Sequence, residues 1–266
     1  MAESAKTVLE RYLRDTSVAV TKRLQATLAG GRDRLQVSAK EGAYDIVTDV
    51  DRAIENSLWE EIHQRFPEDG FLGEEHGWRL GPTSGRDWVV DPVDGTMNFV
   101  NGLPWACCSI GVLEAGEPTA GLIVDPYRDE VYLTLSREDG TELNGHARTI
   151  AEGSDVAGKV ILLEVPSGVS FTVLAGVERA VRDRGGTARV MGSGALAMAL
   201  TAVGRVHGVV HYGPNAWDVA AGVALVDHAG GITLGREGRY ELGRAGPLVA
   251  GNEEVCRMLQ EALQSC

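Results

Sequence analysis

The chain has no hydrophobic run approaching the length of a membrane span, which argues against a helical membrane protein. Basic charge is short. Twenty-five Lys and Arg stand against 38 Asp and Glu, a net charge of −13. That balance disfavours partners read through a phosphate backbone, and it disfavours an anionic membrane surface. Cysteine is scarce: Cys107, Cys108, Cys256 and Cys266, with no C-x-x-C pair, so neither a zinc site nor a redox motif is supported. Reduced thiols in a cytoplasmic protein are the simplest reading. The segment Met1 to Asp15 scatters Glu3, Lys6, Glu10, Arg11, Arg14 and Asp15, and so lacks the apolar stretch of a signal peptide. The six histidines (His63, His76, His146, His207, His211 and His228) fall into no Ser-His-Asp or Cys-His set, and most are expected at the surface or in turns. There is no repeat, no low-complexity tract and no long linker.

What is present is a chain of 266 residues, 44% hydrophobic and 24% charged, with 34 glycines that suit many turns and short βα connections. That length allows one large domain or two tightly joined halves. Apolar spacing predicts helices over Val8–Leu28 and Asp49–Phe66. Strands are expected at Trp88–Val90, Cys108–Leu113, Thr119–Val124 and Val131–Leu135, and Asn144-Gly145 marks a type I′ hairpin. The second half alternates: strands at Val160–Leu163, Ala188–Met191, Val206–Val210 and Leu248–Ala250, helices at Val173–Arg184, Ala195–Val203, Asp218–Ala229 and Glu253–Leu263. The pattern is α+β, with an antiparallel-rich N-terminal half at 1–150 and a more α/β half at 151–266.

The most informative segment is Trp88 to Phe99, Trp-Val-Val-Asp-Pro-Val-Asp-Gly-Thr-Met-Asn-Phe. An apolar strand is expected to end at Val90, just before Asp91, and Pro92 cannot extend a ladder. Gly95 permits a sharp turn and Thr96 can cap a following helix. Two carboxylates would then meet a helix N-terminus, a place for a hard cation such as Mg²⁺ and for a phosphate. Alone, the segment reads equally well as a turn and a cap. Three other segments carry acids where elements begin or end: Gly73-Glu74-Glu75, Trp217-Asp218-Val219-Ala220-Ala221-Gly222, and Tyr44 to Asp51 with Thr48. Each also reads as a capped, negatively charged helix start or a strand end.

Together the four segments, in this order and over nearly the whole chain, resemble the inositol monophosphatase family of Mg²⁺-dependent, Li⁺-sensitive phosphatases. The resemblance implies a layered αβαβα sugar-phosphatase-type fold and two or three Mg²⁺ ions. It assigns Glu74, Asp91 and the Val93 carbonyl to one metal, and Asp91, Asp94 and Asp218 to a second. Gly95 and Thr96 would offer backbone N–H groups to the phosphate. Thr96 and Asp51 would pair, helping Glu74 orient and deprotonate the attacking water. Lys40 falls where the family places a basic residue on a mobile loop, and reads equally as a solvated loop charge. Gly192-Ser193-Gly194 resembles the loop that contacts the sugar or cyclitol ring, and also reads as a βα turn that needs glycine.

Asp94 and Asp218 would border the substrate as well. Seven residues before Asp218, where inositol-hydrolysing members typically carry a glutamate, this chain has His211. That departure turns attention to other small phosphomonoesters. Fructose 1,6-bisphosphate, histidinol phosphate, NADP and nucleotide 3′-phosphates are substrates of relatives with the same metal core. The resemblance also implies a homodimer. A covalent aspartyl-phosphate mechanism at Asp91 is disfavoured, because the two acids are three residues apart rather than two. A catalytically silent regulatory member is the remaining alternative.

Overall fold

The computed structural model describes residues 4–31, 35–42, 45–81, 83–166 and 169–264. Helix α1 spans Ala5–Gly30 and starts where Ser4 Oγ accepts the Thr7 N–H. Strands β1, Val37–Gly42, and β2, Asp45–Thr48, form a hairpin. Helix α2, Asp49–Arg65, opens on a capping box in which Thr48 and Asp51 satisfy each other's backbone N–H groups. Then come β3 (Gly70–Gly73), β4 (Gly77–Leu80), β5 (Arg86–Asp94), α3 (Thr96–Asn101), β6 (Cys107–Glu114), β7 (Glu117–Asp125), β8 (Glu130–Thr134), β9 (Thr141–Leu143) and β10 (His146–Arg148). The later elements are β11 (Val160–Glu164), α4 (Ala175–Asp183), β12 (Thr187–Arg189), α5 (Gly194–Ala202), β13 (Gly208–Tyr212), α6 (Ala216–His228), β14 (Ile232–Gly235), β15 (Gly238–Arg239), β16 (Pro247–Gly251) and α7 (Glu253–Gln264).

Eight strands form one sheet in the order β10-β9-β8-β7-β6-β5-β3-β4, antiparallel except for the β3–β5 pair. Six form a second sheet, β12-β11-β13-β16-β14-β15, in which β12, β11 and β13 run parallel. Strand alternation sorts the side chains into three cores. Trp88, Ile110, Leu122 and Val124 face α1 and α2, whose Leu13, Leu24, Ile54 and Leu58 cover them. Cys107, Ile123 and Tyr132 face the opposite way, onto α5 and α6. The same two helices meet Leu162, Val209, Leu248 and Ala250 of the second sheet. Ile161, Leu163, Val210 and Val249 point outward to Val177 and Val181 of α4 and to Val255 and Leu259 of α7. The layers are therefore αβαβα. The α5 and α6 layer is shared, and all nine residues of α5 are buried, which explains why it is apolar all round. Among the described residues, no helix is long and apolar enough to cross a membrane.

The elements expected from the sequence are present, with five differences, one being that the strand expected at Ala188–Met191 spans Thr187–Arg189. Strand β5 does not end before Asp91 but runs to Asp94. Asp91 faces Ser109 and Asp94 faces Cys107, so Pro92 and Val93 oppose one residue in a bulge. The N–H that proline lacks falls where the ladder is already interrupted. Thr96 is the first residue of α3 rather than its cap. The cap is Gly95, in a left-handed conformation with φ 85°. The helix expected at Val173–Arg184 begins as a separate 3-10 turn, Phe171–Leu174, capped by Ser170. The strand expected from Val206 starts at Gly208. Of the histidines, His211 is buried, at 5% exposure. Cys266 and Tyr44 lie outside the described residues. Lys40 lies in β1, with its side chain outside the described parts.

Helix α6 sits unusually close to the first sheet. A Cβ on Gly111 would lie 2.6 Å from Ala220 Cβ, and one on Gly121 would lie 2.6 Å from the Ala221 carbonyl oxygen. Backbone cannot yield as a side-chain tip can. Gly121→Ala is expected to cost about 1–3 kcal/mol through overpacking. A chain of this size should lose about 2–4 °C of Tm for each kcal/mol. Thermal unfolding followed by circular dichroism checks this, and an unchanged Tm contradicts the close seating of α6.

Candidate active site

The acids named from the sequence converge where the first sheet meets the shared helices. The β5 bulge turns Asp91 and Asp94 toward the same space. Asp91 Oδ1 accepts the Val93 N–H at 3.0 Å, an Asx turn that fixes its side chain. Asp218 is the third residue of α6 rather than its cap. Its Oδ2 accepts the Asn215 N–H at 2.8 Å, closing a second capping box. One oxygen from each of Asp91, Asp94 and Asp218 lies within 4.8 Å of the others. Glu74 sits in the turn between β3 and β4, where its N–H donates to Val90 O at 3.1 Å, and its charge acts on Asp91, Asp94 and Asp218.

Asp94 is held from the second half of the chain. Its Oδ2 accepts Ser193 Oγ–H at 2.5 Å and the Ala195 N–H at 2.7 Å. Thr96 Oγ1 lies 2.9 Å from Val93 O and 3.2 Å from Asp51 Oδ1, so its one proton has two acceptors. Asp51 also accepts the hydroxyl and the N–H of Thr48. Gly95 is required here. Beyond its positive φ, a Cβ would stand 2.8 Å from Trp105 O and 3.1 Å from Gly192 O.

Burial dominates the electrostatics. It raises Asp91 and Asp218 well above the ordinary carboxylate range, reinforced by the neighbouring acids. Asp94 is pushed up to about 6, again chiefly by burial, although Ser193 and Ala195 pull the other way. Burial also raises Asp51. Among the described residues, no ion pair reaches Asp91, Asp94 or Asp218. Clustered hard oxygen donors without a basic partner fit a divalent cation, which would reverse the local field.

The expected ring-facing residues are close by. His211 Nδ1 has no hydrogen-bond partner, and burial lowers its pKa to about 4, leaving a neutral ring. A Cβ on Gly194 would be 2.5 Å from His211 Cε1, so that glycine makes room for the imidazole. Sequence reasoning missed two buried acids beside the site. Glu55 lies one helical turn after Asp51 on α2. Its oxygens take the Glu75 N–H at 2.7 Å and meet His76 Nδ1 at 2.6 Å, bracing the turn that carries Glu74. Glu164 ends β11 and accepts the N–H groups of Met191 and Gly192. The signal was available: Val160 to Glu164 is an apolar run ending in an acid, as Trp88 to Asp91 is.

The model of the inositol monophosphatase family matches residues 6–265. The chain belongs to that family. It is accordingly a phosphoric monoester hydrolase by descent. Among family members, an inositol-1-monophosphatase of Mesorhizobium japonicum is 35% identical over 253 residues, covering 91% of this chain and 94% of that protein. A protein named Nus factor SuhB from Pasteurella multocida is 34% identical, covering 88% of each. The crystal structure of the extragenic suppressor protein suhB from Bartonella henselae superposes with a TM-score of 0.89 at 30% identity, over 97% of this chain and 98% of that one.

The inositol monophosphatase acids make a testable pH signature. In the metal-free protein Asp94 is raised above its unfolded value. The folded chain therefore binds more protons than the unfolded one up to about pH 6, and stability falls as pH rises through that window. Asp91 and Asp218 act in the same direction. A divalent cation held there would take over the role of the proton. Saturating Mg²⁺ should thus raise Tm more at about pH 7.5 than at about pH 5. Equal gains at both pH values, measured by thermal shift, contradict the assignment.

Proposed function

We propose that the chain hydrolyses a small phosphomonoester, with Mg²⁺ held by Glu74, Asp91, Asp94, Asp218 and the Val93 carbonyl. The observation that carries this is the buried carboxylate cluster, whose mutual repulsion a cation would relieve. Bound Mg²⁺, two or three ions by the family resemblance, would neutralise phosphate charge and lower the pKa of an attacking water. Glu74 then accepts the proton of that water. Thr96, placed between Val93 O and the buried Asp51 and itself half-buried, holds the water's other side. The N–H groups of Gly95 and Thr96 orient the phosphate. No protein nucleophile is required, and water attack leaves no covalent intermediate.

Gly192, Ser193, Gly194 and His211 form the wall that reads the alcohol portion of the substrate, with Asp94 and Asp218 at its edge. A neutral imidazole offers one donor and one acceptor, where a glutamate would accept twice. The substrate class is therefore a small sugar, polyol or related phosphate, with inositol 1-phosphate accepted but not strongly preferred. A net charge of −13 runs against a direct role on nucleic acid. The homodimer implied by the resemblance and a cytoplasmic location belong to the same reading. The location is supported by Cys107, Cys108 and Cys256, all buried and free.

Two outcomes test this. Phosphate release should require Mg²⁺ and be inhibited by Li⁺. It should fall at least about 100-fold in Asp94→Asn, which keeps the shape and removes a shared charge. A folded Asp94→Asn protein with near-normal turnover sinks the assignment. For the wall, His211→Gln is a cleaner probe than His211→Glu. Strand pairing sets Glu164 beside His211, and a second buried acid there would repel the first. The ratio of kcat/KM between polyol phosphates should shift by about tenfold where a ring hydroxyl bond is gained or lost. An unchanged ranking across a substrate panel removes His211 from the wall.

A further inference from the structure

The acid at the end of β11 has no part in the chemistry above, yet it is tied to it. Glu164 is 2% exposed, and burial lifts its pKa to about 8. A buried carboxyl of this kind is costly unless its oxygens are bonded. Oε1 accepts the Met191 N–H at 3.2 Å, and Oε2 accepts the Gly192 N–H at 2.8 Å. The same stretch is gripped from its other side. Asn98 Nδ2, on α3, donates to Met191 O at 2.8 Å, to Gly192 O at 3.2 Å and to Trp105 O at 2.9 Å. Gly192 has φ 78°, and a Cβ there would lie 3.3 Å from Asn98 Nδ2. The backbone at 191–192 is thus held by its N–H groups from the second sheet and by its carbonyls from α3. The next residue, Ser193, places its hydroxyl on Asp94.

We propose that Glu164 is a positioning residue: through Gly192 and Ser193 it fixes the orientation of Asp94, coupling the substrate-facing loop to the metal site. This rests on the metal assignment under the proposed function. The physical logic is that a carboxylate accepting a short hydroxyl bond points where that hydroxyl points, and outer partners of this kind govern cation affinity. Glu164 touches neither substrate nor cation. It acts through the backbone it holds.

The test reads cation binding without turnover. Glu164→Gln keeps the volume but puts an NH₂ donor where an oxygen accepts, so one backbone N–H is left facing a donor. Mn²⁺ affinity by calorimetry, and the rise in Tm caused by Mg²⁺, should both correspond to about tenfold weaker binding. Ser193→Ala breaks the same path one step nearer Asp94 and should weaken binding comparably. In the double variant the two losses should not add, because the second break removes a link already lost. Additive losses, or Glu164→Gln with wild-type Mn²⁺ affinity, overturn the proposal. If Glu164→Gln does not fold, Ser193→Ala decides alone, and unchanged Mn²⁺ affinity there also overturns it. A wild-type protein that binds Mn²⁺ but releases no phosphate from any tested ester counts against the hydrolase reading only.

Discussion

The constraint on which this molecule turns is repulsion among buried carboxylates. The buried Asp91 and Asp94 and the half-buried Asp218 bring oxygens within 4.8 Å of one another, with the half-buried Glu74 beside them. An unfolded chain would keep these groups apart and in water. The fold must instead hold them together, and among the described residues it does so with backbone donors and the Ser193 hydroxyl rather than with basic side chains. A bulge supplies the Val93 N–H to Asp91, a helix start supplies Ala195 to Asp94, and a capping box supplies Asn215 to Asp218. Such donors are fixed by secondary structure and carry no full charge. They orient the acids without neutralising them, which leaves the site avid for a cation.

Seating these acids depends on packing that looks unrelated to chemistry. Asp218 stands where it does because α6 lies almost on the backbone of β6 and β7. That approach is possible because Gly111 and Gly121 face Ala220 and Ala221. The helix that carries the ligand and the helix that carries Ser193 also touch closely, with Gly222 against Met198. A small-residue stripe reads as a packing feature, and here it also sets where the Asp218 carboxylate sits.

Much of this was legible before any coordinates. Singly, the segments of Asp91, Asp94 and Asp218 read as turns and caps, and it is their joint resemblance to the family that implies both the site and the layers, while the helices and most strands follow from apolar periodicity. The sequence misled at Pro92, since a missing N–H ends a regular ladder but costs nothing inside a bulge, and bulges leave no mark in hydropathy. The Thr96 hydroxyl suits a cap, as the sequence predicts. In the structure the hydroxyl is engaged by Val93 O and Asp51, a contact 45 residues away that local pattern cannot show. Glu55 leaves no comparable mark, since it braces a distant turn through a backbone N–H and backbone donors have no residue type to find, whereas Glu164 ends an apolar run as Asp91 does.

The shared middle layer has a consequence for how the chain is made. Ribosomes add roughly 5–20 residues each second, and N-terminal parts fold first. The first sheet is complete at Arg148, but α6, which covers its inner face, ends only at His228, 80 residues later (228 − 148). For about 4–16 s the nascent sheet presents Cys107, Ile123 and Tyr132 without the α6 part of their cover. Over that interval the half-made protein is a sticky, strand-rich surface tethered to its neighbours on the same message. Yield in a cell should therefore depend on what shields that face while the rest of the chain emerges.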